Sequence, residues 1–190
     1  MKKRIITCAI LCICIIISSG CKKEEKQSDD TKKTISITID NEQRASIFGR
    51  VTKTDENIPE KEMNKVELGI KNWAQVTLGI DSSYSEESKN ILNEKFYEII
   101  ISDTQREEIK KERNVFYENA TITTEDITVE MKNANEAIYE TRTIGYVDCT
   151  VTITGTRNDE KFERIYDLIL LMDYQEDIAS VYEVIDIKLK

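Results

Sequence analysis

Histidine is absent from this sequence of 190 residues. Without an imidazole, a Ser-His-Asp triad, a Cys-His pair and His-based zinc sites are all excluded. Glycine is scarce as well: the six present leave little material for a phosphate-cradling loop, and no Walker-type or dinucleotide-type spacing occurs. The one proline, Pro59, falls in a stretch of weak periodicity between Asn41 and Glu60. A long hydrophobic run is lacking too. The most apolar segment, Ile5 to Ile17, is 13 residues long, short of the about 20 that a helix rising ~1.5 Å per residue needs to cross a hydrocarbon core.

What that segment does have is context. Met1-Lys2-Lys3-Arg4 places three positive charges before it, and Ser18, Ser19 and Gly20 place small residues after it, directly ahead of Cys21. A basic start, an apolar middle and a small-residue cleavage site is the layout of a secretory signal peptide. The end of the run, "IIISSGCKK", resembles the lipobox of bacterial lipoproteins, with Ser18 standing where Leu or Val is usual. The resemblance implies that the chain is cut before Cys21, that the Cys21 sulfur carries a diacylglycerol group and that the new amino terminus is acylated. Each buried acyl methylene contributes about 0.8 kcal/mol, so two or more chains anchor stably where one binds reversibly.

Removal of residues 1–20 takes Cys8, Cys12 and Cys14 with it, and lipid occupies Cys21, so Cys149 is left without a partner. No disulfide framework or thiolate metal cluster can then form, and stability must come from a packed core. The same cut removes Lys2, Lys3 and Arg4 and no acidic residue, taking the formal charge from −9 to about −12. An acidic chain of this kind argues against a nucleic-acid surface, which depends on Lys and Arg to neutralise phosphates.

Beyond the anchor, "KKEEKQSDDTKK" from Lys22 to Lys33 holds no large apolar residue and reads as a solvated tether. "TISITID", Thr34 to Asp40, alternates Ile35, Ile37 and Ile39 and reads as a short strand. The expected organisation is a signal peptide at 1–20, a lipidated cysteine with tether and lead-in at 21–60, and a globular domain at 61–190. In that domain Val66, Ile70, Trp73 and Thr77 recur at helical spacing. Ser85 caps a second helix carrying Ile91, Leu92, Phe96, Ile99 and Ile100. A third, mostly charged helix over Asp103 to Asn114 has Ser102 and Gln105 at capping-box spacing and only Ile109 as an apolar face, which places it on the surface.

After Val115 the period becomes two. Four long strands are expected, marked by Ile127, Val129 and Met131; by Val147, Cys149, Val151 and Ile153; by Phe162, Tyr166, Leu168, Leu170 and Met172; and by Val181, Ile185, Ile187 and Leu189. Turn signals fall at Asn133–Glu136, Gly155–Glu160 and Asp173–Ala179. Consecutive strands with short connections form an antiparallel meander, and leading helices cover one face of it, giving an α+β fold. From Glu62 to Lys190 this element order, with its Trp-bearing first helix, resembles the nuclear transport factor two-like superfamily. That resemblance implies helices packed in the concavity of a bent sheet, forming a cone.

No motif carries a reaction. Cys149 shares its alternating face with Val147, Val151 and Ile153 and reads as an inert core thiol. Asp148 reads as solvated. The acidic turn Arg157–Glu163 and the pair Glu125 and Asp126 lack the spacing of a calcium loop. Trp73, Tyr146 and Tyr166 are the candidate pocket-lining aromatics. No catalytic residue, metal or cofactor is expected. The expected function is a non-enzymatic binding or scaffold domain held to the extracytoplasmic face of a bacterial membrane by lipid on Cys21, with a protein or small-molecule partner. The alternatives are a small-molecule carrier or enzyme using the cone interior, and an accessory subunit of a secretion or conjugation assembly.

Overall fold

The computed structural model describes Ser46 to Lys190. Cys21 and the expected strand at Ile35–Ile39 lie outside the described residues. A 3-10 turn at Phe48–Arg50 leads into β1 (Val51–Asn57). Three helices follow: α1 (Glu60–Thr77), α2 (Glu86–Glu98) and α3 (Asp103–Tyr117). Four strands complete the chain: β2 (Ile122–Tyr139), β3 (Arg142–Arg157), β4 (Glu160–Asp173) and β5 (Ser180–Leu189). The fold is α+β, with one curled antiparallel sheet of five strands in sequential order, a half-barrel.

The strand count corrects the expectation of four. The added strand comes from 21–60, the region read as tether and lead-in. Val51, Thr52 and Lys53 pair with Tyr139, Ile138 and Ala137. Its polar sequence, VTKTDEN, gave no alternating apolar signal because it is a largely exposed edge strand. The turn expected at Asn133–Glu136 is also corrected. Those residues lie inside β2, where the register slips between Met131 and Asn133. A bulge of this kind inserts a residue and reverses the sidedness of everything beyond it. Ala134 therefore joins the main core and Ala137 the opposite face, each the reverse of what continued alternation from Ile127, Val129 and Met131 predicts, and the reversal of the chain occurs at Glu140 and Thr141.

The β3–β4 connection is a two-residue hairpin at Asn158 and Asp159, with φ of 52° and 67°. Positive φ at both positions matches the strand twist, and Asn and Asp tolerate it through their short polar side chains. A further slip between Ile169 and Leu170 opposite β5 turns Val184, rather than Ile185, toward the main core.

The caps explain where α2 and α3 begin. Ser85 and Ser102 accept hydrogen bonds from the N–H groups of Ser88 and Gln105. One buried cluster joins Val66, Ile70 and Ala74 of α1, Phe96 of α2 and Ile109 of α3 to Val147, Cys149, Val151 and Ile153 of β3 and to Tyr166, Leu168, Leu170 and Met172 of β4. A second cluster lies on the opposite face of the sheet, where Ala137, Ile144 and Leu171 pack with Ile47, Val51, Tyr139, Tyr146, Tyr182 and Ile185. The Glu183 carboxylate ties the start of the described chain onto that face. It accepts from the N–H groups of Ile47 (2.6 Å) and Phe48 (3.0 Å).

Candidate functional site

α3 was expected to lie on the surface, yet it runs on to Tyr117 and buries both Ile109 and Arg113. Its cap is only half a capping box. The Ser102 hydroxyl accepts from the Gln105 N–H, but the Gln105 side-chain amide reaches across to Asp186 of β5 rather than back to the cap. The helical repeat then carries Gln105, Glu108, Ile109 and Glu112 along one flank, facing Ile187, Lys188 and Leu189 of β5 across a groove of 320 Å³.

Behind this groove sits a charged cluster inside the core. Arg164 projects from the inward face of β4 and is 8 % exposed. Its Nη1 donates to Glu112 Oε1 at 2.7 Å, its Nη2 pairs with the other carboxylate oxygen, and its Nε donates to the Tyr166 hydroxyl at 2.9 Å. The guanidinium also stacks 4.1 Å from the Phe116 ring centroid. Burial alone lowers the Arg164 pKa, but the bonds to Glu112 and Tyr166 outweigh it and hold the group more firmly protonated than usual.

Arg113 is the larger anomaly. It is 1 % exposed, among the largest fully buried side chains, and lies 5.3 Å from the Phe96 centroid and 5.1 Å from that of Tyr117. Its Nη2 donates to the Asn93 side-chain oxygen at 2.7 Å, while Nε and Nη1 have no protein partner. The indole Nε1 of Trp73, whose ring meets Phe96 edge-on at 5.9 Å, is likewise buried without an acceptor. Glu112 thus bonds Arg164 through both carboxylate oxygens, while the hydrogen bond of Arg113 is to the neutral Asn93 amide. Burial pushes the Tyr117 phenol up to about 12, with Arg113 acting against the rise. The same cause raises Tyr166 against Arg164 and Arg113. Both phenols are neutral at physiological pH, so neither supplies the missing negative charge.

A second cavity, of 510 Å³, opens where the β1 and β2 irregularities meet the start of α1. Ile58, Met63, Met131 and Ala134 are its apolar lining, and Asn57 and Lys132 stand at its polar side. Lys132 is engaged elsewhere, bonding Asp167 at 2.6 Å. Lys132, Lys190 and the Thr150 hydroxyl together hold the Asp167 carboxyl well below the usual carboxylate range.

The aromatics singled out from sequence do not line one pocket. Trp73 and Tyr166 both belong to the main cluster, whereas Tyr146 lies on the opposite face of the sheet beneath the Lys53 ammonium, 3.3 Å from its ring centroid. Period two contained this separation, since Tyr146 is one residue out of phase with Val147 and Cys149. Cys149 is fully buried, and desolvation lifts its thiol to about 12. Asp148 lies partly exposed, 3.9 Å from Lys132. Sequence reasoning passed over Arg113 and Arg164, although each sits in phase with core positions: Arg113 four residues after Ile109, and Arg164 between Phe162 and Tyr166.

Compared with known protein families, curated proteins and solved structures, the chain matches none. Among the described residues no helix is long and apolar enough to cross a membrane.

Proposed function

We propose that the chain is a lipid-anchored extracytoplasmic protein whose folded part is a non-enzymatic binding domain at the bacterial cell envelope. The observation that carries it is Gly20-Cys21 at the close of a basic-then-apolar signal run, a position an ordinary secreted thiol has no reason to occupy. Binding rather than catalysis is supported by the interior. Trp73, Phe96 and Tyr166 are consumed in packing there, and the two cavities described above are lined by other residues. The cone reading, in which helices occupy the concavity of the sheet as in the nuclear transport factor two-like superfamily, is part of this proposal. Its support is the single buried cluster shared by α1, α2, α3 and the inward faces of β3 and β4. Metabolic labelling with a fatty-acid analogue tests the anchor: the wild-type chain takes up label and sediments with membranes, and Cys21→Ser does neither. An unlabelled wild-type chain refutes it.

A further inference from the structure

We propose that the outer face of the sheet, around Tyr146, Tyr182 and Ile185, is the docking site of this chain's own segment Thr34–Asp40, which seats Ile35, Ile37 and Ile39 there beside Ile47. That segment lies outside the described residues. The inference goes beyond the binding-domain reading above and does not depend on lipid at Cys21.

The argument begins with cover. The inward face of the sheet packs against α1, α2 and α3, whereas among the described residues the outer cluster draws on none of these helices. What lies over it is the lead-in before β1, through Ile47. Ala137, Ile144 and Leu171 are fully buried there, but Tyr139, Tyr146, Tyr182 and Ile185 around them are only half-buried, and Phe48 is 41 % exposed. Apolar surface left to water is unfavourable in proportion to its area, and a contiguous patch of it marks a contact surface.

The path of the chain identifies the occupant. The Glu183 carboxylate of β5 accepts from the N–H groups of Ile47 and Phe48 and from the Ser46 hydroxyl at 3.1 Å. Val51, soon after, pairs with Tyr139 of β2. The lead-in therefore crosses the outer face, and whatever precedes Ser46 is delivered to that face on its β5 side. Between Cys21 and Ile47 the only large apolar residues are Ile35, Ile37 and Ile39. Their period of two places all three on one side of an extended chain and Ser36 and Thr38 on the other, the pattern of a segment covered on one side only. Ile39 precedes Ser46 by seven residues. At up to ~3.5 Å per residue these reach about 25 Å, more than the roughly 20 Å breadth of five strands. A segment tethered so closely also meets the face at a millimolar effective concentration, which a second copy or a foreign strand does not match. With the proposed anchor at Cys21, docking shortens the free connection to Lys22–Lys33, twelve residues, an average span of roughly 20 Å.

The test uses the full chain in detergent with its isoleucine methyl groups isotopically labelled. Nuclear Overhauser cross-peaks are expected from Ile35, Ile37 or Ile39 to the Ile185 methyl and to the rings of Tyr146 and Tyr182. Ile37→Ser weakens them and lowers the thermal midpoint by roughly 2–4 °C, whereas Thr38→Ser, on the other side of the segment, changes neither. The proposal is overturned if none of the three isoleucines gives such a cross-peak, or if Ile37→Ser melts as the wild type does. In a sample mixing labelled and unlabelled copies, cross-peaks that arise only between chains overturn it equally, since a second copy then covers the face. Should Ile37→Ser fail to fold, the wild-type cross-peaks decide alone. Failure here leaves lipid labelling at Cys21 untouched, so the two readings fail separately.

Discussion

Glu112 is the residue on which the interior charge balance turns. It is the carboxylate that faces Arg164, and the side chains of the pair are 8 % and 31 % exposed. Removing one partner of such a pair leaves the other buried and uncompensated. Glu112→Gln should therefore cost about 3 kcal/mol by urea denaturation, whereas Arg164→Met with Glu112→Met should cost clearly less than the sum of the two single changes. Additive costs would mean that the pair is not coupled. Cys149 offers a second test at this scale. Its thiol is held neutral to about 12 by burial, with Asp148 adding to the rise, while an unfolded thiol ionises near about pH 8.5. A raised folded value contributes stability that is complete below the unfolded pKa and declines as pH climbs toward the folded one. Cys149→Ala should cost about 1 kcal/mol at pH 7, and that cost should shrink steadily above about pH 8.5. A cost independent of pH, or rapid labelling of the native thiol, would contradict the buried placement.

Among elements, α1 shows how a single close approach overrides propensity. Gly69 lies in its interior, where alanine is intrinsically better by ~1 kcal/mol. A Cβ at this position would lie 2.7 Å from the Ala179 carbonyl oxygen and 2.8 Å from the Ala179 Cβ, on the segment between β4 and β5. Gly69→Ala should destabilise by about 1–3 kcal/mol, the opposite sign to propensity. Gly49→Ala, with nothing within 4 Å of its added Cβ, should be close to neutral. Thermal melts of the two variants compare them directly, and a stabilised Gly69→Ala would show that the approach is looser than described. The same elements show what the sequence made legible. Ser85 and Ser102 announced their helices because a cap needs one side chain at one position. The inward faces of β3 and β4 announced themselves through unbroken alternation from Val147 to Ile153 and from Tyr166 to Met172. β1 was hidden because an exposed edge strand needs no apolar face. β2 and β5 were misread where bulges reset the count, at Asn133 and Ile185, and a bulge leaves no mark in a two-residue period. Arg113 and Arg164 were hidden for a different reason. Arginine at an inward position is read as surface until a carboxylate or aromatic partner from a distant element is known, and Glu112 is 52 residues from Arg164 in sequence.

For the whole molecule, the described domain begins with its first residues already tied down, through Glu183 to Ile47 and Phe48. The proposed anchor lies at Cys21, leaving Lys22 to Ala45 as the connection. Everything about where the protein works depends on the chemistry of that one cysteine. The direct measurement is mass spectrometry of the amino-terminal peptide of the protein purified from its native membrane. The account predicts a chain that starts at Cys21 and carries a thioether-linked diacylglycerol, with a Cys21→Ser chain lacking that mass. A mature chain that retains Met1, or one that starts elsewhere with an unmodified Cys21, would contradict it.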